Sequence, residues 1–61
     1  MYSVRVKKNS NAKFETVKQD RWKLSEAVLW AQGYQEALKV TPKYYQLHIA
    51  IFFNDRKVVE L

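Results

Sequence analysis

The sequence predicts an α+β domain of the order ββαββ, in which a single helix packs on one face of a mainly antiparallel four-stranded sheet. Three observations predict this fold. Only residues 24–40 show the 3.6-residue apolar period of a helix. Short stretches of alternating apolar and polar residues lie on both sides of that segment, and turn-forming residues divide each side into two strands. With 61 residues and no internal linker, the chain is expected to form one domain over residues 1–61.

The first two strands are expected to form a hairpin. Residues 2–8 alternate as in a half-buried strand, residues 9–11 favour a turn, and residues 13–19 return as the second strand. A three-residue loop would place Val6 opposite Phe14 and leave an opposite-charge pair on the outer face. This register predicts that Phe14 is buried with the valines of the first strand.

The predicted helix covers the sheet with an apolar stripe. Ser25 is the predicted N-cap, because its hydroxyl can accept a hydrogen bond from the first free amides. Pro42 disfavours helical geometry in the residue before it, so the helix is expected to end near residues 39–40. Gly33 costs about 1 kcal/mol relative to alanine inside a helix, which predicts that a close contact requires a small residue there. The stripe consists of Leu24, Ala27, Val28, Ala31, Tyr34 and Leu38.

The last two strands form a second predicted hairpin. Residues 43–53 alternate strongly, residues 54–56 are typical of a tight turn, and residues 57–61 return as the fourth strand. In the fourth strand, Val59 and Leu61 are expected to face inward. The pattern leaves the order of the strands in the sheet open. The inward residues of the third strand are expected to be Tyr45, Leu47, Ile49, Ile51 and Phe53.

The chain is basic, with a formal net charge of +5 at pH 7. Seven of its eleven basic residues but only two of its six acidic ones lie in residues 1–23, so an anionic partner would meet that end first. No apolar run approaches the roughly 20 residues of a membrane-spanning helix, and the first residues do not form the apolar block of a signal peptide. A soluble, cytoplasmic protein is expected.

Catalysis is the function that the sequence favours least. His48 is the only histidine, and no pattern pairs it with a carboxylate as a catalytic base requires. The chain has no cysteine and one glycine, which argues against a thiolate zinc site and against a glycine-rich phosphate loop. We therefore expect no catalytic, cofactor-binding or metal site and no small-molecule substrate.

The sheet face turned away from the helix is one candidate binding surface. It would combine basic side chains, which attract phosphates, with aromatic side chains, on which bases stack. Proteins that bind single-stranded nucleic acid use this combination. Basic residues are also ordinary on a half-exposed sheet, so the same pattern fits a solvated face with no partner. The candidate contacts for an anionic partner are Arg5, Lys7, Lys13, Tyr44, His48 and Phe52.

The edge of the helix around Trp30 is the second candidate surface. Tryptophan is strongly enriched among interface hot spots, and the small residues Gly33 and Ala37, one and two turns along, would leave this ring uncovered. The alternative is that Trp30 folds over the rim of the sheet as part of the core, and Trp22 presents the same choice. The predicted partner-binding residues are Trp30, Glu26, Leu29, Gly33 and Ala37.

Three segments of the chain carry a family resemblance. Residues 28–31, with the sequence VLWA, are followed by Tyr34 and Glu36, and residues 54–60 read NDRKVVE. Residues 1–6 have the form Met-x-x-Val-basic-Val. Together with the chain length and the ββαββ order, these motifs resemble the Dmd ("discriminator of mRNA degradation") antitoxins of T-even-type phages.

The resemblance implies a phage antitoxin that binds a host endoribonuclease toxin by protein contact, occludes its RNA-binding groove and so protects phage mRNA in the cytoplasm of the infected bacterium. It also marks Trp30 as the anchor of that contact. Two alternatives stay open. One is a small basic RNA- or DNA-binding protein that uses the open sheet face, and the other is a phage inhibitor of a different host enzyme.

Overall fold

The computed structural model describes residues 1–40 and 47–61. Within those residues it contains one antiparallel four-stranded sheet of strand order β2-β1-β3-β4 and a single helix, in the chain order ββαββ. The predicted fold class is therefore confirmed. The elements are β1 (Tyr2–Lys7), β2 (Glu15–Asp20), α1 (Leu24–Lys39), β3 (His48–Phe53) and β4 (Arg56–Glu60).

The core lies between the helix and the two central strands. The strands β1 and β3 pair directly, from Tyr2 opposite Phe53 to Lys7 opposite His48, and α1 contacts these two strands. Small residues on the helix bring its axis close to the sheet, while every residue of the edge strands β2 and β4 is exposed. The buried cluster consists of Val4, Ala27, Ala31, Ile49 and Ile51.

The first hairpin pairs in a register that differs from the predicted one. Val6 lies opposite Glu15, and the pairing is interrupted near Val17 by a bulge between the partners of Val4 and Arg5. A shift of one residue turns every side chain of a strand to the other face. Phe14 consequently lies on the open face of the sheet, and the prediction that it is buried with the valines was wrong.

The loop of the first hairpin explains this register. The side chain of Asn9 accepts a hydrogen bond from the amide of Asn11 at 2.9 Å, and the carbonyl of Asn9 accepts one from the amide of Ala12 at 3.1 Å. These two bonds form a turn of their own between the strands, as asparagine side chains often do. The loop is therefore longer than the three residues on which the predicted register depended.

The helix ends where it was predicted to end, but its start differs. The N-cap is Lys23, whose amide donates a hydrogen bond to Glu26 Oε1 at 2.9 Å, so the prediction of Ser25 was wrong. A carboxylate three residues after the cap can reach the cap amide, and this bond fixes the first turn. Gly33 is exposed, and a Cβ atom placed there would meet no atom within 4 Å. The prediction that a close contact requires glycine was therefore also wrong.

The second hairpin closes through a two-residue turn of Asn54 and Asp55. Asn54 has a φ of 56°, a left-handed conformation that asparagine tolerates better than most residues. In the strands that flank this turn, Ile51 pairs with Val59, and Ile49 and Ile51 are buried as predicted. The predicted third strand began at residue 43, but residues 43–46, with Tyr44 and Tyr45, lie outside the described residues, and β3 begins at His48.

Candidate protein-binding surface

Three aromatic side chains form a row along one flank of the helix. The ring of Trp30 is stacked on that of Tyr34, with centroids 5.3 Å apart and planes inclined by 15°. The ring of Trp22 also lies beside Trp30, with centroids 6.0 Å apart. All three rings are partly buried and pack against the core. We call Trp22, Trp30 and Tyr34 the aromatic row.

The aromatic row adds a second reason to consider Trp30 a binding residue, because neighbouring rings hold its side chain in place. Small neighbours were predicted to leave its ring partly uncovered, and the ring is partly exposed, although Trp22 and Tyr34 both pack against it. Residues four apart on a helix are neighbours, so Tyr34 is the natural stacking partner. A supported ring loses little conformational entropy when a partner binds its exposed part. The prediction that Trp30 contacts a partner stays a prediction.

The other residues predicted to bind a partner around Trp30 lie on two different sides of the helix. Glu26, Gly33 and Ala37 lie three, four or seven positions from Trp30, so they share its flank, and all three are exposed. Leu29 has 69% of its surface exposed, but it points away from the row towards solvent. The flank beside Trp30 is consequently open, with small side chains that allow a partner to approach the ring.

A cavity of about 460 Å³ lies at the Tyr34 end of the aromatic row. It is formed between the first hairpin and the C-terminal half of the helix, and the sequence did not predict it. Its apolar lining comes from Val6, Ala12, Tyr34, Leu38 and Leu47, and its polar lining from Lys7, Lys8, Lys13 and Glu15. We call this cavity the lysine pocket.

The aromatic row and the lysine pocket form one continuous surface. Tyr34 belongs to both, since it stacks on Trp30 and also lines the pocket. Trp22 lies two residues after the end of the edge strand β2, and Glu15 at the start of β2 lines the pocket at the other end of the row. The surface therefore runs along the side of the helix that lies above β2. The exposed basic residues Lys18, Arg21 and Lys23 lie in β2 or between β2 and the helix.

The open sheet face holds a second group of aromatic and basic side chains, but this group is closed. Phe14 and Phe52 meet edge to face with their centroids 5.2 Å apart. The guanidinium of Arg5 lies 4.3 Å from the centroid of Phe52, and the ammonium of Lys7 lies 4.6 Å from that of Phe14. Only 8% of Phe52 is exposed, so its ring offers almost no surface to a nucleic acid base.

Arg5 connects this group to the second hairpin. Its Nε donates to Ser3 Oγ at 3.1 Å, and one terminal nitrogen donates to the carbonyl of Asn54 at 2.7 Å. The same nitrogen is 3.3 Å from a carboxylate oxygen of Asp55, which is 99% exposed, so this ion pair adds little. To bind an external anion, Arg5 would have to give up contacts within its own chain.

The predicted anionic-partner residues are thus separated by the fold. Lys7 and His48 are opposite one another on the open face, where Arg5 and Phe52 also lie. Lys13 instead lines the lysine pocket on the helix side of the hairpin. Tyr44 is outside the described residues. The open face therefore holds four of the six residues, and its two phenylalanine rings are covered by cations.

Across residues 1–40 and 47–61, no group of three or more histidine, cysteine, aspartate or glutamate side chains is placed to hold a metal ion. The helix described above is too short and too polar to cross a membrane. Comparison with models of protein families, with curated proteins and with solved structures finds no match to this chain.

Proposed function

We propose that this chain is a small phage antitoxin that binds a host endoribonuclease toxin through the aromatic row and inhibits it by protein contact. The observation that carries the proposal is the stacked Trp30 and Tyr34 pair, which is partly exposed beside an open helix flank. The identity of the partner and the location in the bacterial cytoplasm come from the resemblance to the Dmd antitoxins. The proposed activity is inhibition of RNA cleavage, without catalysis by the chain itself.

Tryptophan and tyrosine are the residues that anchor most protein interfaces. Truncation of such an anchor commonly costs 2 kcal/mol or more of binding free energy, while the surrounding contacts mainly exclude water. The exposed flank of Glu26, Gly33 and Ala37 supplies these surroundings. A partner pocket that closes over the exposed part of Trp30 would therefore gain most of its affinity there.

The size of the chain argues that the interface extends beyond the aromatic row. The total accessible surface is 4615 Å², and a standard interface takes about 800 Å² from each partner, roughly one-sixth of this value. Three partly buried rings cannot supply that area. The adjoining lysine pocket and Lys18 of β2 would then lie within the interface, where their charges would raise the association rate.

The test is inhibition of a host endoribonuclease toxin by variants of the helix flank. We expect Trp30→Ala to lose at least about 2 kcal/mol of binding free energy and to leave RNA cleavage uninhibited. Since Trp30 also packs on the core, a second variant is needed that cannot disturb folding. Gly33→Glu adds a side chain on the flank of Trp30, at a position where a Cβ atom meets no other atom within 4 Å. Binding is measured by titration and inhibition by an RNA cleavage assay.

Gln32→Glu is the matched control for Gly33→Glu, because it makes the same change of charge at an exposed neighbouring position outside the flank of Trp30. It should inhibit the toxin as the wild type does. A Trp30→Ala protein that folds normally and still neutralises the toxin would rule out the proposal. Capture of another host enzyme through the same flank would instead favour the inhibitor of a different target.

A second candidate function, binding of RNA or DNA, is supported by the concentration of positive charge in residues 1–23. Lys8, Lys13 and Lys18 are exposed and could contact phosphates without any stacking. Such binding weakens steeply as salt is added, since each phosphate contact releases a counterion. Affinity for single-stranded RNA that is insensitive to salt would exclude this candidate.

A further inference from the structure

The lysine pocket has the two properties of a site for an apolar group attached to negative charge. Its lining combines apolar side chains, among them Val6, Tyr34 and Leu38, with lysines. Its volume of about 460 Å³ is at the lower end of the range for ligand sites, roughly 300–1,000 Å³. One or two side chains fit in such a space, whereas a folded element does not.

The charges at the pocket are unbalanced. Three lysines and one glutamate line it, and within the described residues none of the three ammonium groups lies within 4.0 Å of a carboxylate. The ammonium of Lys7 is engaged with the ring of Phe14 on the open face. Lys8 and Lys13 are exposed, so their charges are available to a ligand.

We infer that the lysine pocket receives a large apolar side chain from an acidic segment of the partner protein, whose carboxylates pair with Lys8 and Lys13. The inference rests on the proposed function, since the partner that covers Trp30 must also cover the adjoining pocket. Charge complementarity selects this occupant over a basic one. The apolar interior selects it over a phosphate backbone, which has no apolar group to bury. The part of the partner that meets this end of the surface is therefore acidic.

Peptide binding tests the inference directly. The probes are two synthetic peptides that carry a single leucine or a single alanine between glutamates. We expect the leucine peptide to bind at least about ten-fold more tightly. Burial of its larger apolar side chain contributes more binding free energy than a ten-fold difference in affinity corresponds to. Binding is followed by fluorescence anisotropy, and NMR shifts of Val6 and Leu38 report the position of the peptide. Equal affinity for the two peptides would overturn the inference.

Charge-reversal variants distinguish the effect of the lysines at the pocket from the effect of the net charge of the chain. The double variant Lys8→Glu with Lys13→Glu should weaken binding of the leucine peptide and of the toxin about ten-fold, chiefly through a slower association rate. The control is Arg56→Glu with Lys57→Glu, an equal change of charge at exposed positions on the opposite edge strand. If the two double variants weaken binding equally, the effect is only long-range attraction and the inference fails.

The inference and the proposed function can fail separately. If Gly33→Glu abolishes toxin binding while the Lys8 and Lys13 variant binds normally, the antitoxin proposal stands and the pocket inference is overturned. If the leucine peptide binds in the pocket but no toxin is inhibited, the proposed function fails and the acidic-segment site stands for another partner.

Discussion

Two groups of aromatic side chains in this chain differ in what covers their rings. On the open sheet face, each of the rings of Phe14 and Phe52 is covered by a cation, from Lys7 and Arg5 respectively. Along the helix, the rings of the aromatic row contact one another and the core, and within the described residues no cation lies over them. The rings of the first group are therefore covered by cations of the chain itself, whereas the rings of the second are partly exposed with no such cover.

The difference shows that basic and aromatic residues together do not identify a binding surface. An arginine over a ring stabilises the fold through packing and cation–π attraction, and it also removes both groups from the solvent. Lys8 and Lys13 lie at the end of the aromatic row instead of over it, so the rings stay partly exposed and the two charges stay exposed. Where the cations stand relative to the rings decides whether the group can bind.

The largest effect expected from this comparison is on stability, at Phe52. The variant Phe52→Ala should lose about 3–5 kcal/mol of unfolding free energy, because it removes a nearly buried ring and the surface on which Arg5 lies. A domain of this size has a total stability of only about 3–5 kcal/mol, so the variant is expected to be largely unfolded. Urea unfolding followed by circular dichroism measures the loss.

Leu29→Ala is the control for that experiment, since Leu29 is 69% exposed and its truncation should change the free energy of unfolding by no more than about 0.5 kcal/mol. A Phe52→Ala protein with wild-type stability and impaired binding would reverse the comparison. The open face would then be the binding surface, and the aromatic row would belong to the core.

The sequence was sufficient for the fold because the signals for helix and strand differ in period. The period of 3.6 in residues 24–40 and the alternation on both sides of it predicted every element now seen. The apolar stripe of the helix, including Ala27 and Ala31, packs on the sheet as predicted. These features depend on local spacing alone, which one sequence records fully.

The candidate site was less predictable because it depends on positions that are distant in the chain. The register of the first hairpin followed from two hydrogen bonds of Asn9 that the spacing of apolar residues does not record. That register places Phe14 beneath Lys7. The lysine pocket is lined by residues of the same hairpin and by Leu38 of the helix. Its existence could not be derived before the hairpin and the helix were placed together.

A smaller effect on the free energy of unfolding is expected at Arg5. It tests whether the guanidinium of Arg5 stabilises the fold. Arg5→Ala should lose about 1–2 kcal/mol of unfolding free energy, because it removes the hydrogen bonds to Ser3 and Asn54 and uncovers the ring of Phe52. Arg56→Ala is the control, because it removes the same charge from an exposed position on an edge strand. Urea midpoints of the two variants, measured at equal salt, separate the contacts of Arg5 from its charge.

The same pair of variants also separates the two aromatic groups. If Arg5 serves only the fold, partner binding by folded Arg5→Ala protein should equal that of Arg56→Ala, whereas Trp30→Ala should bind far more weakly. Equal stability of the two arginine variants, with weaker partner binding for Arg5→Ala alone, would mean that Arg5 is held ready for an anion. In that case the cation on the open face would be a binding group, and the distinction between a closed and an available aromatic group would fail.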